Sequence, residues 1–271
     1  MSRFVPAAVG LVLLAAAGAA RAGVVITTEQ SGGPDGQKRE MQVFMEPDRL
    51  KMPQPRGGII YRADQDKAWS YDDERKSYVE LSRESMGALK AQMDAAMAQM
   101  RQQMANMPPD QRKMVEEMMA KQGGGAMMGQ PAGPPPTVTF EKAGGKQTIG
   151  KWSCEGFARM ENGRKTDDMC IARLGELGLT RDDMKAFGGL TQMLKSSMGP
   201  AQQSGAAAMD FDTMSKAIGF DGAPVRSVHY LPNGVQHETV VKAIERKSLS
   251  PDLFELPSGY AKQEMGRPPA R

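Results

Sequence analysis

The amino-acid sequence predicts an α+β fold: a strongly curved antiparallel sheet of roughly nine to eleven strands, with helices on its concave face. Three observations lead there. Short β-branched runs alternate with tight polar turns from Val24 to Leu81 with no helix between them, which excludes parallel βαβ units. A methionine-laden stretch of helical period then interrupts the strands. Beyond a Gly/Pro-rich linker the strand pattern returns, with Gly-containing hairpin turns near Gly163 and Gly234.

The first 22 residues have the form of a secretory leader. Arg3 supplies the positive start, Val9 to Ala19 the apolar run, and Ala20-Arg21-Ala22 a small-x-small cleavage site before Gly23. The run is short for a bilayer span, so a signal peptide over residues 1–22 and a periplasmic, soluble mature protein are expected. Loss of Arg3 and Arg21 takes the formal charge from +3 to +1, which argues against a nucleic-acid partner. Export also places the two cysteines, Cys154 and Cys170, where a disulfide is the default.

Residues 23–265 read as one domain. Its first half starts at Val24–Thr28 and runs through Met41–Met45 and Ile59–Arg62 to Ser77–Leu81, about five short strands of a meander. Between the fifth and sixth strands lies a Met-rich helical insertion, 82–121. Ser82 is its N-cap, Ser85 lies in its first turn, and Pro108-Pro109 divides it into two helices. Residues 122–136 form a Gly/Pro linker. Strands resume at Thr137–Glu141 and Gln147–Trp152. A three-residue turn around Glu161-Asn162-Gly163 would make residue numbers summing to 324 face each other, as Cys154 and Cys170 do. Thr180 with Asp183 resembles a capping box. It precedes an amphipathic helix carrying Met184, Phe187, Leu190, Leu194 and Met198. A short helix is expected near Phe211–Ile218, then a hairpin over Leu231–Gly234, and a last strand or docked segment at Leu253–Pro257. The tail 266–271 is expected to fray.

Four constellations could carry chemistry. Met86, Met93, Met100, Met107 and Met114 recur every seven residues, and Met97, Met104 and Met118 fill a second series, giving one helical stripe of thioethers. Such a stripe suits contact with varied apolar ligands or clients at Met86, Met93, Met97, Met100 and Met104. It equally suits packing or pairing with another helix. Met93, Met97, Met100 and Met104 could also gather Cu(I). His229 and His237, the only histidines, sum to 466 and so oppose each other across their hairpin. Their face also carries Val225, Leu231, Val235 and Val241, so they are expected to point inward or into a cleft. Two imidazoles do not close a metal site without another ligand. Asp64, Asp66, Asp72, Asp73 and Glu74 lie in turns without calcium-loop spacing. No nucleophile elbow, phosphate loop or dinucleotide fingerprint occurs, so neither catalysis nor a cofactor is expected.

Asp48-Arg49-Leu50-Lys51-Met52, Ile59-Ile60-Tyr61-Arg62-Ala63-Asp64, Lys76-Ser77-Tyr78 and the closing run Leu249 to Tyr260 resemble an exported bacterial family labelled only as a domain of unknown function. The ending, Phe254-x-x-Pro257-x-Gly259-Tyr260, is also distantly similar to periplasmic lipoprotein carriers of the LolA/LolB type. That resemblance implies a half-open barrel whose helices cover an apolar cavity for acyl chains. The expected function is therefore non-enzymatic binding of an apolar small molecule, lipid or protein client. A structural or interaction module built on the methionine helix, and periplasmic Cu(I) handling, are the alternatives.

Overall fold

The computed structural model describes residues 22–32, 36–108, 137–197, 210–231 and 234–264. Alternating side chains and tight turns produce six strands in the first half: β1 (Ala22–Ser31), β2 (Arg39–Glu46), β3 (Arg49–Gln54), β4 (Gly57–Arg62), β5 (Lys67–Asp72) and β6 (Ser77–Ser82). Helix α1 (Arg83–Ala105) follows. Then come β7 (Val138–Ile149), β8 (Trp152–Glu161), β9 (Arg164–Arg173), α2 (Lys185–Ser197) and α3 (Phe211–Ile218). The chain closes with β10 (Gly222–Tyr230), β11 (Gln236–Ser248) and β12 (Ala261–Gln263). All twelve strands form one curved sheet in the order β12-β6-β5-β4-β3-β2-β1-β11-β10-β9-β8-β7. Every pairing is antiparallel except that of β12 with β6, and β7 and β12 remain unjoined edges.

The strand count thus exceeds the expected range, and α1 enters after the sixth strand rather than the fifth. β3 is separated from β2 only by the turn at Pro47-Asp48, and β12 is three residues long. The two expected segments 137–141 and 147–149 merge into β7, whose pairing with β8 shifts between Lys142 and Lys146. At that shift the β7 backbone crosses closely over Gly156: a Cβ there would lie 1.8 Å from the Ala143 carbonyl oxygen. Only glycine fits.

β1 joins the two halves, pairing with β2 on one side and β11 on the other. On one face, Val24, Met45, Leu50, Tyr61 and Ala68 of the first half join a core cluster that also includes Cys170, Ile171, Ala172 and Val225 of the second. Ala186, Leu190, Met193, Phe211, Met214 and Ile218 of α2 and α3 pack onto the same core. On the opposite face, Val25, Ile60, Trp69 and Tyr71 are covered by Leu249 and Phe254. The expected docked segment is therefore a 3-10 turn, Pro251–Phe254, and the last strand lies beyond it.

The helix starts follow local side-chain chemistry. Ser82 caps α1 in a reciprocal box with Ser85, at 3.1 Å and 2.9 Å. Asp183 accepts from the Thr180 amide at 2.7 Å, and Thr180 Oγ1 accepts from the Asp183 amide at 3.4 Å. Arg246 of β11 completes this second box, donating to both Asp183 oxygens at 3.0 and 2.6 Å. Burial pushes the Asp183 carboxyl up, but the bonds from Arg246 and Thr180 outweigh it and hold it below the usual carboxylate range. A depressed folded-state value contributes stability above the unfolded value and loses it as pH falls. Asp183→Asn is therefore expected to cost most near pH 6. The gap to the parent should close as pH drops below about 4, the ordinary Asp value. Urea titrations at pH 6 and pH 3 check this; an equal gap at both would exclude it.

The insertion beyond Pro108, the linker 122–136, Met198, the leader and the tail 266–271 lie outside the described residues. No helix among the described residues is long and apolar enough to cross a membrane.

Candidate functional site

A cleft of about 340 Å³ lies between the sheet and the helices α2 and α3. Strand alternation builds its floor, since same-face residues are two apart. β1 contributes Ile26 and Thr28, β2 Val43 and Met45, β9 Asp167 and Met169, and β11 Thr239 and Val241. Register brings them together: Ile26 faces Val43 on one side and Ile244 on the other. The opposite wall comes from Leu177, Leu179, Met184 and Phe187, with Phe211 and Met214 from α3.

The lining carboxylates are each held by basic partners. Asp210 caps α3 by accepting from the Thr213 amide at 3.1 Å, and Lys195 of α2 ion-pairs with it. Burial would raise this carboxyl, but Lys195 and the Thr213 amide together keep it below its ordinary range. Asp167 accepts from Arg159 Nη1 at 3.0 Å, from Thr166 Oγ1 at 2.8 Å, and from His229 Nδ1 at 2.7 Å. Arg159 is itself only 3% exposed. Strand order and register set Arg159, Asp167, His229 and His237 in one row across β8, β9, β10 and β11.

His229 and His237 do oppose each other, as their spacing requires. They do not point into the core. Both are exposed, because they lie next to the turn that closes the β10–β11 hairpin. Cys154 and Cys170 form the expected disulfide, with Cα atoms 5.3 Å apart. Its register differs from the expectation. Asn162 and Gly163 both take left-handed conformations (φ 51° and 78°), which makes a two-residue turn with Glu161 opposite Arg164. A further shift between Arg159 and Met160 places Gly156 opposite Cys170, so the cysteines are diagonal neighbours.

Met86, Met100 and Met104 are not among the described residues that line this cleft. Met86, Met100 and Met104 are half-buried on α1, which contacts β6 and α2. Met93 and Met97 lie on the same helix. Among the described residues the lining methionines are instead Met45, Met169, Met184 and Met214. These stand singly in strands and short helices, so no repeat marks them in the sequence.

The acidic turn residues carry ordinary turn roles. Asp64 bonds Arg62 at 2.7 Å, Asp72 accepts from the Arg75 amide at 2.9 Å, and Glu74 pairs with Arg56 at 3.3 Å. A second hollow of about 350 Å³ beside them is polar, lined by Gln54, Arg56, Asp72, Arg75 and Ser77 among others. Among the described residues no group of three or more His, Cys, Asp or Glu side chains is arranged to hold a metal ion.

Sheet and cleft together define an open, curved, predominantly antiparallel α+β protein with an apolar hollow under its helices. The chain belongs to the family described as "Domain of unknown function (DUF4412)", which it matches over residues 84–260. No curated protein matches it. Among solved structures it is similar to PNGF-II in the C2 space group (TM-score 0.37, 8% identity, 90% of this chain and 31% of that one). The P21 form gives TM-score 0.38 and 9% identity over the same shares. The chain thus spans 31% of the length of PNGF-II. A LolA superfamily protein from Nitrosomonas europaea is also similar (TM-score 0.25, 7% identity, 86% of this chain and 89% of that one). These are distant likenesses.

Proposed function

We propose that this protein is an exported, non-enzymatic binder that takes an apolar ligand or client, such as a lipid acyl chain, into the cleft beneath α2 and α3. The observation that carries the reading is the lining. Apolar side chains from five strands and two helices surround about 340 Å³. The carboxylates among them are ion-paired with Lys195 and Arg159, and Asp167 is also hydrogen-bonded by His229. That volume lies at the lower end of the roughly 300–1,000 Å³ of small-molecule sites, enough for one apolar chain or ring system. The leader-like start and the Cys154–Cys170 disulfide support an oxidising, exported location. In this reading the helices act as a lid on the concave side. The methionines of α1 extend its adaptable surface, and Met86, Met100 and Met104 contact a client at the lid's edge.

Native mass spectrometry of protein collected from its exported compartment tests this. A bound apolar mass is expected. Ala223→Phe, which fills the cleft from β10, should reduce it at least tenfold while leaving far-ultraviolet circular dichroism unchanged. A protein that carries no such mass and takes up no apolar fluorescent probe would exclude the reading.

A further inference from the structure

We propose that His229 and His237 form an open two-imidazole clamp for one divalent transition-metal ion, with Asp167 orienting one of the rings. The order of preference expected for imidazole donors is Cu²⁺ ahead of Zn²⁺ and Ni²⁺.

Three features of the geometry support the clamp. His229 and His237 are directly opposite on adjacent antiparallel strands, so their side chains leave the same face. Cα atoms in such pairs lie about 4.5–5.5 Å apart. Ring nitrogens bind these ions at about 2.0–2.1 Å, so one ion between the two rings is within reach of both. Next, Nδ1 of His229 donates to Asp167 Oδ1 at 2.7 Å, which leaves Nε2 as the ligating nitrogen. Carboxylate–imidazole–metal relays of this kind fix the ring and raise its basicity. Here the carboxylate is itself held by Arg159 Nη1 at 3.0 Å and Thr166 Oγ1 at 2.8 Å, and its side chain is only 14% exposed. The pair also stands in the open: the His229 side chain is 47% exposed and His237 is exposed as well.

Two protein ligands leave coordination positions for water. Because Asp167 also lines the cleft, a donor atom on a bound ligand could take one of them. The clamp is thus an open site, consistent with the lack of a closed cluster of three ligating groups among the described residues. It does not depend on the cleft being occupied, and it uses no thioether.

The test uses the full chain, treated with chelator and free of added lipid, titrated with Cu²⁺ and separately with Zn²⁺ by calorimetry. The two imidazoles, the only ones in the chain, are followed by NMR. One ion per chain should bind and perturb both rings. His229→Asn and His237→Asn should each weaken uptake at least tenfold. Asp167→Asn should weaken it 10–100-fold, the usual effect of removing such an orienting partner. Leucine at Met93, Met97, Met100 and Met104 together should leave divalent-ion uptake unchanged. Failure to bind an ion, or binding that survives both histidine replacements, overturns the clamp and leaves the Asp167–His229 contact as a structural hydrogen bond.

Discussion

Phe254→Ala is expected to destabilise the protein by about 3–5 kcal/mol, the range for truncating a fully buried aromatic side chain. Phe254 has no exposed surface and sits among Val25, Ile60, Trp69, Tyr71 and Leu249 on the sheet face opposite the helices. The Arg49 guanidinium lies over its ring at 5.5 Å. Among the described residues the second core is closed by a short C-terminal segment, so few neighbours can collapse into the space left behind. Tyr260, stacked edge-on to Tyr71 at 6.2 Å, would remain as a weaker fastening. For a domain of this size the loss corresponds to a fall in Tm on the order of 10 °C. Trp69 is 7% exposed and one of only two tryptophans, so its emission should shift to the red if the segment lifts. Leu253→Ala, at a half-buried position on the same segment, should cost clearly less. A Phe254→Ala protein within 1 kcal/mol of the parent in guanidinium titration would show that the segment does not close this core.

Opening the disulfide is expected to cost about 3 kcal/mol, from the chain-entropy relation for a loop of this size. The cysteines are 16 residues apart and 3% and 2% exposed. They tie β8 to β9 beside Phe157 and Ile171 in the main core. The check is guanidinium unfolding of the parent and of the Cys154→Ala/Cys170→Ala pair, each with and without reductant. Reductant should lower the parent's midpoint towards that of the double variant and leave the variant's own midpoint unchanged. If reductant leaves the parent's midpoint where it was, the bond contributes nothing to stability.

Much of the local structure was legible because it depends on residues a few positions apart. Ser82 with Ser85 announces the start of α1, and Thr180 with Asp183 the 3-10 turn Asp182–Met184 that leads into α2, since each box closes within three residues. The bounds of α3 match the expected Phe211–Ile218. The opposition of His229 and His237 follows from a turn whose bonds, Leu231 N to Val235 O and Gly234 N to Leu231 O, are equally local. The disulfide pairing was correct although the register behind it was not. Proximity in one hairpin suffices for the bond, whereas register depends on the two-residue turn at Asn162-Gly163 and on a bulge that nothing at Arg159-Met160 advertises.

The candidate site was far less legible. The most conspicuous signal, the methionine repeat, lies on α1, and Met86, Met100 and Met104 are not among the described residues that line the cleft. The residues that do line it run from Ile26 in β1 to Ile244 in β11, with each element contributing only a few unremarkable side chains. Asp167 and Arg159 gave no signal either, because a charged residue in a strand counts as solvent-facing until its cross-strand partner is known.

By itself, then, the sequence determined the predominantly antiparallel α+β class, the places of the turns, the helix starts and the pairing of its two cysteines, all consequences of periodicity, backbone preference and short-range hydrogen bonding. The tertiary structure alone decided that β1 joins β2 to β11 across the two halves, that Phe254 seals one face while α2 and α3 roof the other, and that a hollow remains under that roof. Those outcomes rest on sheet twist, bulges and the burial of apolar surface between distant segments. A one-residue change of register would turn each strand's apolar set to the opposite face.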